Sequence, residues 1–135
     1  MGTADANGAL MLEAFEAFSA GDLDTLQAAI APDLVMHSAG AAEAVRGVQT
    51  WRAGVELMKQ AFPDLEAQVD DIVAAEEKVA IRVTYRGTHG GDFQGIPATG
   101  RSVEFVSHEF YRFEAGRIVE EWICSDTASL FHQLG

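Results

Sequence analysis

Hydrophobic residues recur every three or four positions in the first half of the chain, which predicts helices there. Val48 begins the clearest run, in which apolar residues follow at steps of three and four until Pro63 ends the helix. The predicted helices cover about 7–20, 23–30 and 48–62. A short strand is predicted over 34–38, between the second and third helices.

The hydrophobic period changes to two after Leu65, which predicts strands in the second half. These strands cover about 65–69, 79–86, 103–113 and 118–125. The turn at Ala115-Gly116 is too short for a crossover connection, so the last two strands are expected to be antiparallel. Helices followed by antiparallel strands predict a single α+β domain over 1–135, with helices packed on one face of a bent, mainly antiparallel sheet.

The position of the last turn predicts which residues share a sheet face. With regular pairing from Ala115-Gly116, Asp126 lies opposite Phe105, and Trp122 lies opposite Glu109. One face then combines aromatic and polar side chains, as ligand pockets do. Its predicted members are Phe105, Ser107, Glu109, Tyr111, Phe113, Ile118, Glu120, Trp122, Cys124 and Asp126. A β-bulge would exchange the two faces beyond it and would bring His108 to the pocket side.

Composition and charge exclude several classes of partner. The chain has 135 residues and a formal net charge of −12, from 9 basic and 21 acidic residues. This charge argues against nucleic acid or anionic lipid as a partner, since phosphate binding requires a basic face. The single cysteine, Cys124, cannot form an intrachain disulfide, and the N-terminus lacks the basic region of a signal peptide. A cytoplasmic location without membrane association is therefore expected.

Three stretches of the second half carry a family resemblance: "GTHGGDFQGIPATGRSVEF", "EFYRFEAGRIVEEW" and the closing "QLG". They resemble the SnoaL-like polyketide cyclases of the nuclear-transport-factor-2-like (NTF2-like) superfamily, over roughly Leu34 to Gly135. The resemblance implies a cone-shaped α+β barrel with a deep apolar pocket, and a homodimer that forms through the sheet. It also implies a cofactor-independent intramolecular aldol ring closure on an apolar, keto-rich small molecule, without metal or organic cofactor.

Asp126 is the first candidate catalytic residue. In the cyclases that the chain resembles, an aspartate on the last long strand is the general acid/base, and Asp126 occupies that position in the motif. A carboxyl group buried in an apolar pocket has a raised pKa, which suits acid/base catalysis near neutral pH. The alternative is structural, because an aspartate at this point can also cap the turn that follows the strand.

The other candidates are histidines and aromatic residues. His37 lies on an early strand where this family often has a histidine, and it can hold an oxyanion, orient the substrate or bond to a loop carbonyl. Trp122 can stack on a flat ligand or belong to the core, and His89 is expected to bond to the backbone of its glycine-rich loop. No histidine or carboxylate spacing matches a known metal site, so no metal is expected.

Three functions are left open by the sequence. The first is the cyclase, with Asp126 as acid/base and a pocket formed by Trp122, Tyr111, Glu109 and Phe105. The second is another enzyme of the same superfamily, such as a ketosteroid-isomerase-like or epoxide-hydrolase-like protein. The third is a dimeric small-molecule binder without catalysis.

Overall fold

The computed structural model describes residues 2–135 and contains four helices and six strands within that range. The helices are α1 (Thr3–Ala20), α2 (Leu23–Ala28), α3 (Val48–Ala61) and α4 (Thr127–Gln133). The strands are β1 (Ile30–Ser38), β2 (Val45–Arg46), β3 (Glu66–Ala75), β4 (Lys78–Thr88), β5 (Ser102–Glu114) and β6 (Arg117–Ser125). None of these helices is long and apolar enough to cross a lipid bilayer.

The six strands form one sheet in the order β2-β1-β6-β5-β4-β3. All neighbouring strands are antiparallel except β1 and β6, which are parallel. The predicted α+β fold, with helices on one face of a mainly antiparallel sheet, is confirmed. The parallel pair was not predicted, because nothing local in the sequence indicates that β1 lies beside a strand more than 80 residues further along the chain.

The helical half differs from the prediction at its boundaries. α1 begins at Thr3 instead of about residue 7, and α2 ends at Ala28, where Ile30 already begins β1. Pro32 therefore lies within β1. The pairing of β1 with β6 shifts register between Ile30 and Val35, which is where a strand tolerates a proline that cannot donate a ladder hydrogen bond.

The core lies between the helices and the inner face of the sheet. Strict alternation along β5 buries every second side chain from Val103 to Phe113. Met11 and Phe15 of α1 pack against this inner face, together with the inward residues of β4 and β6. A second cluster around Phe62 and Leu130 joins the ends of α3 and α4 to the start of β5.

The loop over 89–101 is held against the end of α3 by backbone hydrogen bonds. Gly90 and Gly91 both donate their N–H groups to the carbonyl oxygen of Ala61, at 3.0 and 3.1 Å. A Cβ atom at Gly91 would overlap the carbonyl oxygen of Gln60, so only glycine allows this approach. The loop in turn brings Phe93 against Phe62, with ring centroids 5.3 Å apart.

We predict that Gly91→Ala lowers the free energy of unfolding by about 1–3 kcal/mol, because the new methyl group must displace backbone atoms of α3. The matched control is Gly54→Ala in the middle of α3, where a Cβ atom meets nothing within 4 Å. That change is expected to raise stability by about 0.5–1 kcal/mol. Urea unfolding of both variants checks the pair, and equal effects would contradict the packing of this loop.

Candidate active site

A cavity of about 500 Å³ lies between the helices and the inner face of the sheet. Its wall is mostly apolar, with Phe15 and Phe18 from α1, Trp51 and Met58 from α3, and Phe105 from β5. This volume is within the range of pockets that enclose small organic molecules. The hydrophobic spacing of α1 and α3 therefore builds a ligand-sized hollow as well as a core.

Only four titratable side chains line the cavity within residues 2–135, and all four are on neighbouring strands. They are Tyr85 on β4, Glu109 and Tyr111 on β5, and Glu121 on β6. Glu109 is 2% exposed and Glu121 is 7% exposed. Buried carboxyl groups are rare unless they are paired or functional, so this group is the chemical centre of the cavity.

Glu109 is satisfied by two phenol groups. The Tyr85 hydroxyl donates a hydrogen bond to Oε2 of Glu109 at 2.9 Å, and the Tyr111 hydroxyl donates one to Oε1. Burial raises the pKa of both tyrosines well above the ordinary value, and the nearby Glu109 carboxylate raises it further. Both phenols therefore stay protonated and act as hydrogen-bond donors to the Glu109 carboxyl.

Glu121 has a different environment, although it lies on the adjacent strand. Burial raises its pKa from 4.5 to about 8, and the charge of Glu109 contributes to the same increase. Within the described residues, no hydrogen bond to the Glu121 carboxyl counteracts this increase. Glu121 therefore holds its proton at neutral pH and faces an apolar hollow, as a general acid does.

The mouth of the cavity carries uncharged polar residues. Ser38, Thr50, Gln94 and Thr127 line the cavity and are exposed to solvent, whereas Glu109, Tyr111 and Glu121 are buried. Among the lining residues of 2–135 there is no lysine, arginine or histidine. An anionic ligand would thus find no positive charge in this cavity to compensate its own.

A β-bulge in β6 changes the predicted sharing of faces. Glu114 pairs with Arg117, and Phe113 with Ile118, as regular pairing requires, but Arg112 pairs with Glu120. Val119 is therefore an extra residue, and every later position of β6 is displaced by one. The predicted pairs of Trp122 with Glu109 and of Asp126 with Phe105 are wrong: Trp122 lies opposite Phe110.

The bulge decides which residues of β6 reach the cavity. Beyond it, Glu121, Ile123 and Ser125 line the cavity. The predicted inward positions of Glu120, Trp122 and Cys124 are wrong, since these residues share the outer face of the sheet with Phe110 and His108. Phe105, Glu109 and Tyr111 lie on β5, whose alternation the bulge does not disturb, and they line the cavity.

Asp126 does not point into the cavity, so the expectation of a buried acid at this position is wrong. Its side chain is exposed, and it accepts a hydrogen bond from the N–H of Ser129 at 3.0 Å. It is the N-cap of α4, the structural alternative that the sequence also allowed. The physical reason is that the strand ends at Ser125 and the chain turns into a helix that needs a capping acceptor.

His37 and Trp122 stack on each other on the outer face of the sheet. Their rings are 5.3 Å apart and inclined by 8°. His37 Nε2 lies 2.7 Å from Oε2 of Glu120, and this hydrogen bond lowers the pKa of Glu120. Neither His37, Trp122 nor His108 lines the cavity. The sheet separates all three from the buried carboxyl groups, and His108 is exposed.

The remaining histidine of interest, His89, is fully buried in the loop after β4. Its Nδ1 accepts a hydrogen bond from the backbone N–H of Thr99 at 3.2 Å and lies 2.9 Å from the Thr99 hydroxyl. This arrangement closes the loop and does not face the cavity. From Gly2 to the C-terminus, no three histidine, cysteine or acidic side chains form a group that could hold a metal ion.

Sequence reasoning missed Glu121 and Tyr85 as site residues. Glu121 follows Glu120, and regular alternation assigned the wrong one of the two to the inner face. Only the bulge distinguishes the two glutamates, and its position depends on how β6 pairs with β5. Tyr85 belongs to a predicted half-buried strand, but its hydroxyl partner Glu109 is 24 residues away and no local pattern links them.

We predict that the wild-type protein loses stability as pH rises from about 5 to about 8, because the folded state then binds a proton that the unfolded state releases. Over this range Glu121 alone should account for a loss on the order of 5 kcal/mol. Glu121→Gln should remove this dependence and make the protein more stable at pH 9. Urea unfolding at a series of pH values measures the pH dependence of stability.

The control is Asp126→Asn, which should leave this pH dependence in place, because asparagine is an equally good helix cap. An unchanged pH dependence in Glu121→Gln would contradict the raised pKa of Glu121.

Comparison with known proteins agrees with this fold and cavity. The family model of the SnoaL-like polyketide cyclases matches residues 9–134. The structure of IdmH, a proposed polyketide cyclase from Streptomyces antibioticus, is 40% identical with a TM-score of 0.82, over 96% of this chain and 98% of that one. AclR, a proposed hydroxylase from Streptomyces galilaeus, is 33% identical with a TM-score of 0.90, over 98% of both chains.

A third solved structure, TsrD from Streptomyces laurentii, is 27% identical with a TM-score of 0.86, over 100% of this chain and 98% of that one. No curated protein matches the chain significantly. The family match covers nearly the whole sequence, and the solved relatives share its sheet and helices from end to end. The chain therefore belongs to the SnoaL-like polyketide cyclase family, with the NTF2-like α+β fold.

Proposed function

We propose that the protein is a cofactor-independent acid/base enzyme that closes a ring by an intramolecular aldol reaction on an apolar, keto-containing small molecule. The observation that carries this proposal is Glu121, a buried acid that keeps its proton at neutral pH and borders an apolar cavity of about 500 Å³. An aldol closure needs this kind of group in this kind of surrounding.

The reaction needs two proton transfers and no external oxidant or reductant. A base removes a proton from the carbon beside one carbonyl, and the resulting enolate carbon attacks a second carbonyl of the same molecule. The second carbonyl oxygen then takes a proton and becomes a hydroxyl group. Glu121 performs both transfers: its ionised fraction takes the carbon-bound proton, and the acid so formed gives that proton to the second carbonyl oxygen, so the carboxyl ends each turnover in the form in which it began.

The lining of the cavity favours an uncharged substrate over an anionic one. Its wall is largely apolar, it contains two buried carboxyl groups, and none of its described lining residues is basic. A molecule with free carboxylate or phosphate groups would lose hydration without gaining a compensating charge. A neutral ketone loses little and gains a hydrogen bond from the Glu121 carboxyl.

The relatives support the same class of chemistry and also define the alternatives. IdmH is a proposed polyketide cyclase, whereas AclR is a proposed hydroxylase on the same fold, so the fold alone does not fix the reaction. An acid/base carboxyl in an apolar cavity also serves a ketosteroid-isomerase-like or epoxide-hydrolase-like enzyme, and the cavity alone serves a binder. Proton exchange beside a ketone separates acid/base catalysis from simple binding.

We predict that the wild-type protein accelerates deuterium exchange beside the carbonyl of β-tetralone, a neutral bicyclic ketone, in deuterated buffer. Glu121→Gln should lose about 100-fold or more of this acceleration, because an amide cannot transfer the proton. Mass spectrometry of the ketone measures the exchange rate.

Asp126→Asn is the matched control for this assay, since it makes the same chemical change at an exposed helix cap. It should keep the wild-type rate. Loss of exchange in Asp126→Asn, or full activity in Glu121→Gln, would contradict the role of Glu121. Binding of the ketone without any exchange in the wild-type protein would favour the non-catalytic binder.

We also propose that the protein forms a homodimer through the outer face of the sheet. Support comes from a row of outward residues that crosses five strands at matching register positions: Val73, Ala80, Phe110, Trp122 and His37. Val73 is 61% exposed and Phe110 is 50% exposed, which is unusual for large apolar residues on one surface. Charges of both signs flank the row, including the ion pair of Arg112 with Glu120 at 3.0 Å.

We predict that Phe110→Glu converts the dimer to a monomer, because it places a charge in the centre of the apolar row. Sedimentation velocity measures the change in mass. The control is Leu57→Glu on α3, an equally drastic change at a residue that is 65% exposed and lies off the sheet. A wild-type monomer, or equal dissociation of both variants, would refute the sheet interface.

A further inference from the structure

The two carboxyl groups of the cavity differ in the hydrogen bonds that they accept. Both oxygens of Glu109 accept hydrogen bonds, one from Tyr85 and one from Tyr111. The carboxyl of Glu121 takes no part in these bonds and borders the open volume. A carboxylate with two donors tolerates burial far better than one without any.

The sheet register holds the two groups close together. Tyr111 pairs with Glu121 across β5 and β6, so Glu109 is the diagonal neighbour of Glu121 on the same inner face. Such neighbours are about 7–8 Å apart at their Cα atoms. Two negative charges at this separation in an apolar cavity repel strongly, so one of the two groups keeps its proton.

Nothing else that lines the cavity compensates a second charge. The lining residues from α1, α2, α3 and β1 include no titratable side chain, and β4 contributes only Tyr85, whose hydroxyl is bonded to Glu109. The choice of which carboxyl ionises is therefore made by the two phenols. They favour charge on Glu109, and that charge in turn disfavours charge on Glu121.

We propose that Glu109 is a positioning residue that acts through Glu121: as a buried carboxylate bonded to Tyr85 and Tyr111, it keeps Glu121 in the acid form. With Glu109 ionised, both phenol protons are committed to it. The Glu121 proton is then the donor that a ligand oxygen meets beside the carboxyl pair. The value of this arrangement for catalysis rests on the proposed function, whereas the coupling itself does not.

The test is the titration of Glu121 in the ligand-free Glu109→Gln variant, followed by carbon-13 NMR of the side-chain carboxyl. Glutamine has the shape of glutamate and still bonds to both tyrosines, through its carbonyl oxygen and its amide group, but it carries no charge. The pKa of Glu121 should fall by about one to two pH units, as expected for removing a like charge at this distance in partly shielded surroundings.

The matched control is Glu104→Gln, which removes one negative charge from the outer face of the same strand. Glu104 is 58% exposed and is paired with Arg86 at 2.5 Å, so its removal should leave the titration of Glu121 unchanged. An unchanged pKa of Glu121 in Glu109→Gln, or an equal decrease in both variants, would overturn the proposal.

A second measurement on the wild-type protein keeps the test independent of how the variant folds. At neutral pH the Glu109 carboxyl carbon should have the chemical shift of a carboxylate, while that of Glu121 has the shift of an acid. The reverse assignment would overturn the proposal. Because neither titration contains substrate, failure of the exchange assay with β-tetralone would affect the proposed function and leave this result as it stands.

Discussion

The chemistry of the candidate site depends on the repulsion between two carboxyl groups that share one apolar cavity. Glu109 and Glu121 lie on adjacent strands and face the same hollow, and only Glu109 receives hydrogen bonds from the two tyrosines. Burial, followed by the effect of Glu109, raises the pKa of Glu121 to about 8, so this carboxyl is an acid at neutral pH. The fold thus supplies an acid that is available at neutral pH.

This arrangement costs stability, and the rest of the domain compensates for it. Three features keep the cavity walls in place. They are the apolar packing of α1 on the sheet, the hydrophobic cluster around Phe62 and Leu130, and the close approach of Gly91 to α3. The capped helix α4 closes the end of the last strand through Asp126. Active sites commonly contain such unfavourable groups, which persist because the surrounding structure fixes them.

The amino-acid sequence predicted much of the fold and only part of the site. Alternation along β5 correctly placed Phe105, Glu109 and Tyr111 on one face, because local period determines the face of a regular strand. It failed on β6, where the single extra residue Val119 exchanges the two faces and replaces Trp122 by Glu121. A bulge depends on the pairing of two strands and leaves little trace in the sequence of either one.

The family resemblance failed at a different point. It assigned the acid/base role to Asp126 from its position in a motif, and the structure shows that this carboxylate is an exposed helix cap. The parallel contact of β1 with β6, which places His37 on the outer face beside Trp122, also depends on chain-distant pairing. Residue types and spacing therefore identified a carboxyl-containing cavity, whereas tertiary contacts determined which carboxyl groups belong to it.

The most direct measurement is the pKa of Glu121 in the ligand-free wild-type protein, from carbon-13 NMR of its side-chain carboxyl across pH. We predict a pKa of about 8, because burial and the Glu109 carboxylate both disfavour the charged form. A value close to the ordinary 4.5 would show that Glu121 is hydrated and charged at neutral pH, and would contradict its role as the acid of the cavity.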